Sequence, residues 1–255
     1  MLFSGGLDSA VLLADVAAAA RAGQRGPVIA LYVSVGFAWE RAEREIAAAL
    51  LATQPFAGLR DFVALRFDMR DVFPPTHWAV RGTPPAYDTP DEDVFIDGRN
   101  VILLSKAAVY MAAAVRPRPA AVTLFIGPLA GNPFPDATAE FFAATARSLA
   151  LGLDVPIEVE APFATWHKSD VIRRGVALGV PLELTLSCMN PQDGAHCGAC
   201  SKCRERIDAF REAGVPDPTT YRVYLLSRRY SRRARREQNS WERRAFSAAS
   251  ASVRA

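Results

Sequence analysis

The chain has 255 residues, half of them hydrophobic, and a formal net charge of +3. That is enough to bury a sizeable core as one large domain, or as a domain with a small appendage. No run is long and apolar enough to cross a bilayer and no signal-peptide pattern opens the chain, so a cytoplasmic location and no membrane partner are expected.

The charge is unevenly spread. Residues 222–255 hold ten arginines against two glutamates and carry +8, which leaves −5 on residues 1–221. A mildly acidic body does not point to nucleic-acid binding, which is left to nonspecific contacts by the basic tail. Residues 222–255 read as an Arg-rich, disordered, solubilising tail.

In chain order, the first stretch is Phe3-Ser4-Gly5-Gly6-Leu7-Asp8-Ser9-Ala10. Apolar residues lead into a Ser-Gly-Gly turn, and an Ala/Val/Leu run follows from Ser9 to Ala22, which predicts strand, tight loop and helix. Glycines let the backbone turn sharply, and exposed N–H groups at a helix N-terminus surround an anion. There is no Walker ending. Asp8 fits as a helix cap, as a Mg2+ ligand, or as both. The plainer alternative is a Ser/Gly/Asp turn that only caps a helix. Three residues precede the loop, fewer than a buried strand usually has, so either the start lies upstream or the central strand is short.

Val28 to Val33 is nearly continuous apolar strand, as in a parallel sheet covered on both faces. A helix is expected from Trp39 to Thr53, with Glu40, Arg41, Glu43, Arg44 and Glu45 as its solvated start, and a strand from Phe62 to Phe67. Residues 68–98 break the rhythm with five prolines, an Asp91-Glu92-Asp93 cluster and the aromatics Phe73, Trp78 and Tyr87. A structureless stretch of that length is a lid, a binding loop or a mobile insertion, and its aromatics argue against simple disorder. Arg99 and Asn100 open a helix from Val101 to Val115, where they form either a polar site or a cap with a surface arginine. A strand at 121–127, a Gly/Pro loop, a helix at 137–151, a short strand at 156–160 and a helix opened by Lys168 follow. The pattern predicts an α/β fold: an open, mostly parallel, doubly wound sheet whose polar loops converge at the C-terminal strand ends.

Cys188, Cys197, Cys200 and Cys203 are the only cysteines. The C-x8-C-x2-C-x2-C spacing brings four thiolates to one ion, and four soft ligands suit tetrahedral zinc, with an iron–sulfur cluster as the rival. A full set of four cysteines leaves no open position, so one structural Zn2+ per chain is expected. His196 reads as a fifth candidate ligand, or as a neighbour that packs and hydrogen-bonds.

The Ser4-Gly5-Gly6-x-Asp8-Ser9 pattern resembles the PP-loop of the ATP pyrophosphatases. Together with the cysteine set it resembles the 7-cyano-7-deazaguanine synthase family, from Leu2 to about Tyr221, through Gly98-Arg99-Asn100, Phe134-Pro135-Asp136, Lys168, Ser187-Cys188 and the cysteine run. The resemblance implies a PP-loop domain over 1–186 closed by a zinc-stapled helical segment at 187–221. It implies adenylation of 7-carboxy-7-deazaguanine by ATP with Mg2+, displacement of AMP by ammonia to an amide, and a second activation to the nitrile of the queuosine pathway. Leu2, Phe3, Ser4, Gly5, Gly6, Leu7, Ser9 and Ala10, with Arg99 and Asn100, are then expected to bind ATP. Asp8 and Lys168 are expected to be catalytic, and Phe134 and Asp136 to meet the acid substrate. A homodimer is also implied.

Two loops depart from the family pattern. Ser34-Val35-Gly36-Phe37-Ala38-Trp39 replaces an Asp-x-Gly-Gln type loop, and residues 127–137 lack the usual acidic residue and Gly-Tyr-Pro-Asp-Cys run. The acceptor pocket is therefore expected to be altered, and another small acid or a tRNA base is an alternative acceptor. A sulfur-transferring pyrophosphatase would need a free cysteine. A zinc-stapled, non-catalytic nucleotide-binding protein is the remaining alternative.

Overall fold

Three residues hold the sheet together. Met1–Phe3 pairs with the strand β1, Ile29–Ser34, through a parallel bridge between Leu2 and Leu31. Phe3 N donates to Leu31 O at 2.8 Å and Leu31 N to Met1 O at 2.8 Å. On the other side Leu2 N donates at 3.0 Å to Phe125 O, the last residue of β3, Val122–Phe125. β1 pairs in parallel with β2, Asp61–Arg66, and β3 pairs in parallel with β4, Ile157–Glu160. The spatial order is thus β2, β1, Met1–Phe3, β3, β4, with the shortest segment at the centre. The structure, a computed structural model, describes residues 1–222 apart from Gly58 and Arg60. The arginine-rich stretch expected beyond that point lies outside the described residues.

Strand alternation divides the core. Leu2, Ile29, Leu31 and Val33 face one apolar cluster with Leu104, Ala107 and Ala108 of α4, Arg99–Ala113, and Phe142 of α5, Ala139–Leu153. Met1, Phe3 and Ala30 face the other, with Val11 and Leu12 of α1, Leu7–Arg21. Val171 and Ile172 of α6, Lys168–Ala177, and Phe210 of α7, Ser201–Ala213, complete that side. This is an α/β fold with parallel strands whose centre is covered on both faces, while the edge strand β2 leaves Phe62, Ala64 and Arg66 exposed. Among the described residues no helix is long and apolar enough to cross a membrane.

Two expectations are corrected. Residues 68–98 are not structureless: they contain the short helix α3, Trp78–Arg81, and a 3-10 turn at Asp91–Val94. Trp78 stacks on Trp39 with ring centroids 5.6 Å apart and planes 12° apart. Ala38 N donates to Ala79 O at 3.0 Å, and Arg204 donates to Thr89 O at 3.1 Å. The start of α2, Glu40–Leu51, is also not wholly solvated, because Glu40 is buried. Its carboxylate accepts from Val35 N at 2.7 Å, Gly36 N at 2.9 Å and Ser34 Oγ at 2.6 Å, and so ties the helix to the end of β1.

Candidate functional site: a glycine-loop cleft beside four cysteines

Helix α1 begins at the loop that the sequence singles out. Gly6 is its N-cap and no side chain caps it, so Asp8 lies inside the first turn and does not serve as a cap. Ser9 Oγ donates to Gly6 O at 3.0 Å, while the Ser4 and Gly6 amides point at the Ser9 and Ser4 hydroxyls, each at 3.3 Å. Gly5 takes φ +74°, and a Cβ there would sit 3.1 Å from Ala47 N and 3.1 Å from Ile46 Cγ2. The loop is therefore pressed onto α2 where only glycine fits. Leu186 N donates to Gly5 O at 2.9 Å, which ties the loop to the segment leading into the cysteines.

Two adjoining cavities, each of about 300 Å³, open at this loop. The first is lined by Leu2, Phe3, Ser4, Gly6, Asp8 and Ser9, with Arg99, Asn100, Phe134 and Asp136 opposite. The second shares Gly6, Asp8, Arg99 and Phe134, and adds Leu7, Lys168, Ser187, Cys188, Lys202 and Glu205. Gly5 and Ala10 line neither cavity. Gly5 shapes the loop from behind, and Ala10 is buried in the α1 core.

Lys168 is drawn into the cleft, its side chain only 12% exposed, so it is not a solvated surface lysine. Its Nζ lies 3.2 Å from Asp8 Oδ2 and 2.5 Å from Glu205 Oε1, and Lys202 Nζ closes the chain at 2.8 Å from Glu205 Oε2. Burial pushes the Asp8 carboxyl up, against the pull of Lys168. Burial would also raise Glu205, but Lys168 and Lys202 hold it down at about 2. Glu205 is thus the main counter-ion of Lys168. Asp8 keeps its Oδ1 buried with no hydrogen-bond partner among the described residues. An orphaned carboxylate oxygen beside the glycine loop and the N-terminus of α1 fits a divalent cation.

Asn100 and Asp136 meet directly. Asn100 N donates to Asp136 Oδ2 at 3.1 Å, and its Nδ2 donates to Asp136 O at 3.0 Å and Oδ1 at 3.2 Å. The pair fixes the start of α4, and with it Arg99, whose buried Nε lacks a partner among the described residues. Phe134 packs on Phe95 at 5.2 Å, on the edge of both cavities.

Glu43 was missed by sequence reasoning. It lines both cavities, accepting from Tyr32 Oη at 2.9 Å and from Trp39 Nε1 at 3.1 Å. Burial pushes its carboxyl up, and Arg99 opposes that shift. The i,i+4 spacing of Trp39 and Glu43 was the one sequence signal that could have found it.

The four cysteine Sγ atoms lie within 4.8 Å of one another, with Cys197–Cys203 at 3.9 Å and Cys200–Cys203 at 3.5 Å. Tetrahedral Zn–S bonds of ~2.3 Å need sulfurs ~3.8 Å apart, so the set fits a four-coordinate metal. Asn190 N and Cys197 N each donate to Cys188 Sγ at 3.2 Å, and Ala199 N donates to Cys197 Sγ at 3.3 Å, which favours thiolates. His196 is not a fifth ligand. Its Nε2 accepts from Ser187 N at 3.0 Å, and burial, with the Arg206 charge behind it, lowers it to about 3. Arg206, fully buried, donates to Thr185 and Ser187 hydroxyls, Thr219 Oγ1 and Leu182 O, and anchors the run into Cys188.

Residues 1–214 match the family described as Queuosine biosynthesis protein QueC. The chain is 35% identical over 237 residues to a 7-cyano-7-deazaguanine synthase of Methanoculleus marisnigri, covering 86% of this chain and 96% of that protein. A synthase of the same name from Cupriavidus necator is 36% identical over 237 residues, covering 88% and 96%. One from Caldicellulosiruptor bescii is 36% identical over 157 residues, covering 56% of this chain and 68% of its own length.

Proposed function

Because the chain belongs to the QueC family of queuosine biosynthesis proteins, we propose that it is an ATP-dependent carbon–nitrogen ligase that converts 7-carboxy-7-deazaguanine and ammonia to 7-cyano-7-deazaguanine. The observation that carries this reading is one cleft in which the glycine loop, the Asp8–Lys168 pair and the four-cysteine segment meet. The family match and the names of the relatives agree with it.

A carboxylate is a poor electrophile, and transfer of AMP to it creates a leaving group. In our reading the loop amides and the hydroxyls of Ser4 and Ser9 hold the ATP phosphates at the N-terminus of α1. Lys168 places a cation where charge develops on the departing pyrophosphate. Asp8 would hold Mg2+, which supplies Lewis-acid stabilisation of the phosphates when bound. Arg99, fixed by the Asn100–Asp136 bonds, faces the acid and the nucleotide, and Phe134 offers a face to a flat ring. Cys188, Cys197, Cys200 and Cys203 would hold one structural Zn2+ that secures the floor of the second cavity.

The test is pyrophosphate release by metal-replete protein with ATP, Mg2+ and ammonium, with and without 7-carboxy-7-deazaguanine, followed by mass spectrometry. A product with the nitrile mass, absent from Asp8→Ala, is the expected result. ATP binding without acid-dependent pyrophosphate would reject this acceptor. The same assay then screens other flat acids, because the loops at 34–39 and 127–137 depart from the expected family pattern.

A further inference from the structure

Most carboxylates of the cleft are matched. Asp8 and Glu205 face Lys168, Asp136 faces Asn100, and Asp91 lies 3.9 Å from Lys202. Glu43 is different. Its two oxygens accept one hydrogen bond each, from the neutral groups Tyr32 Oη and Trp39 Nε1, and it forms no ion pair among the described residues. A carboxylate has about four acceptor sites, so about two remain open. Glu43 also lies where the two cavities join, beside Gly6 and Asp8. Arg99 acts on it through space without an ion pair among the described residues, so its open acceptor sites remain available to a small hydrogen-bonding cation.

We propose that Glu43 binds the nitrogen donor as ammonium and takes a proton from it for attack on the activated acid. The inference rests on the function proposed above, which needs a nitrogen nucleophile. Ammonium predominates at neutral pH but has no lone pair, so a proton must leave before a bond forms. Ammonium gives one proton to the Glu43 carboxylate, and the freed lone pair forms the carbon–nitrogen bond at the acyl carbon. The bond from that carbon to the AMP oxygen breaks, and AMP leaves with the electron pair. The nitrogen sheds its second proton to AMP or water, and Glu43 returns its own to water. Burial raises the basicity of Glu43 toward the range a general base needs, while Arg99 opposes it and Tyr32, Trp39 and Glu40 complete the groups around it. Tyr32 and Trp39 hold the carboxylate in place, and the stacked Trp39 and Trp78 line the second cavity beside it.

Glu43→Gln in the full chain tests this with two readouts: acid-dependent pyrophosphate formation without ammonium, and amide formation against ammonium concentration. The expected variant adenylates the acid at the wild-type rate. Its amide formation falls about 100-fold, with a raised KM for ammonium. Hydroxylamine, which is neutral at that pH, restores turnover as the hydroxamate. Glu43→Asp, which keeps a carboxylate but draws it back by one methylene, is read in the same way if the glutamine variant does not fold. A Glu43→Gln protein that uses ammonium like the wild type overturns the inference. So does one that loses adenylation and the hydroxylamine reaction together. Wild-type protein without acid-dependent pyrophosphate overturns the proposed function itself, and this inference with it.

Discussion

Lys168 Nζ lies 3.2 Å from Asp8 Oδ2, so the first residue of α6 and an acid in the first turn of α1 share one charged site. The lysine does not belong to Asp8 alone, because Glu205 holds it more closely, at 2.5 Å. Glu205 fixes the cation, and Asp8 remains able to take a metal.

Replacing Lys168 by methionine separates these roles. On the proposed function this removes the cation that meets the departing pyrophosphate, and pyrophosphate release should fall by about 100-fold or more. Glu205 keeps Lys202 as a partner at 2.8 Å, so the fold should survive. Steady-state pyrophosphate assays with circular dichroism as the control check this. A near wild-type rate would remove Lys168 from the chemistry.

Glu205 should also mark the acid stability of the protein. Burial would raise its carboxyl, but the two lysines hold it at about 2 against an ordinary 4.5. A lowered folded-state value gives stability that is complete where the unfolded carboxyl is ionised, above about pH 4.5. That contribution fades as pH falls from 4.5 towards 2. Glu205→Gln should therefore be less stable than the wild type at pH 7, with the gap closing in that window. Urea unfolding of both proteins at each pH reads the difference, and effects common to both cancel.

Sequence legibility followed sequence distance. The glycine loop and the cysteine run are local patterns whose spacing carries their chemistry, and both meet in the cleft. The strand β1 was visible because both of its faces are covered, which leaves the continuous apolar run Ile29–Val33. Asn100 and Asp136 are far apart in sequence, and nothing local announces that each is the other's partner. Glu40 and Glu43 failed for a different reason. A helix start rich in Glu and Arg looks like a solvated face, yet here it abuts the end of β1, whose loop amides need acceptors. Glu40 of the helix after loop 34–39 supplies the acceptor for its Val35 and Gly36 amides.

Gly5 should tolerate no side chain. Its φ of +74° lies where other residues are strained by about 1–3 kcal/mol. An added Cβ would also press on Ala47 N and Ile46 Cγ2, both at 3.1 Å. Gly5→Ala should lower stability by about that amount and weaken ATP binding, because the loop must move off α2. Thermal unfolding and ATP titration of the same variant check both effects. Loss of stability with unchanged ATP affinity would mean that the loop binds no phosphate.

Cys200 joins more elements than its three partners. It is the N-cap of α7, and it forms an antiparallel bridge with Ala86 in the segment that covers the cleft. Its sulfur lies 3.5 Å from Cys203 Sγ. Without a metal, several close, buried thiol sulfurs have only one another and backbone amides as partners. Cys200→Ser should therefore lose bound metal, measured by elemental analysis, and lose at least ~3 kcal/mol of stability. Protease cutting should appear within 187–203 before it appears in the sheet. Because Leu186 N bonds Gly5 O at 2.9 Å, ATP affinity should fall as well. Metal removal from wild-type protein by a chelator should reproduce all three effects, and zinc should reverse them. A variant that binds ATP normally without metal would show that the cysteine segment and the glycine loop fold independently.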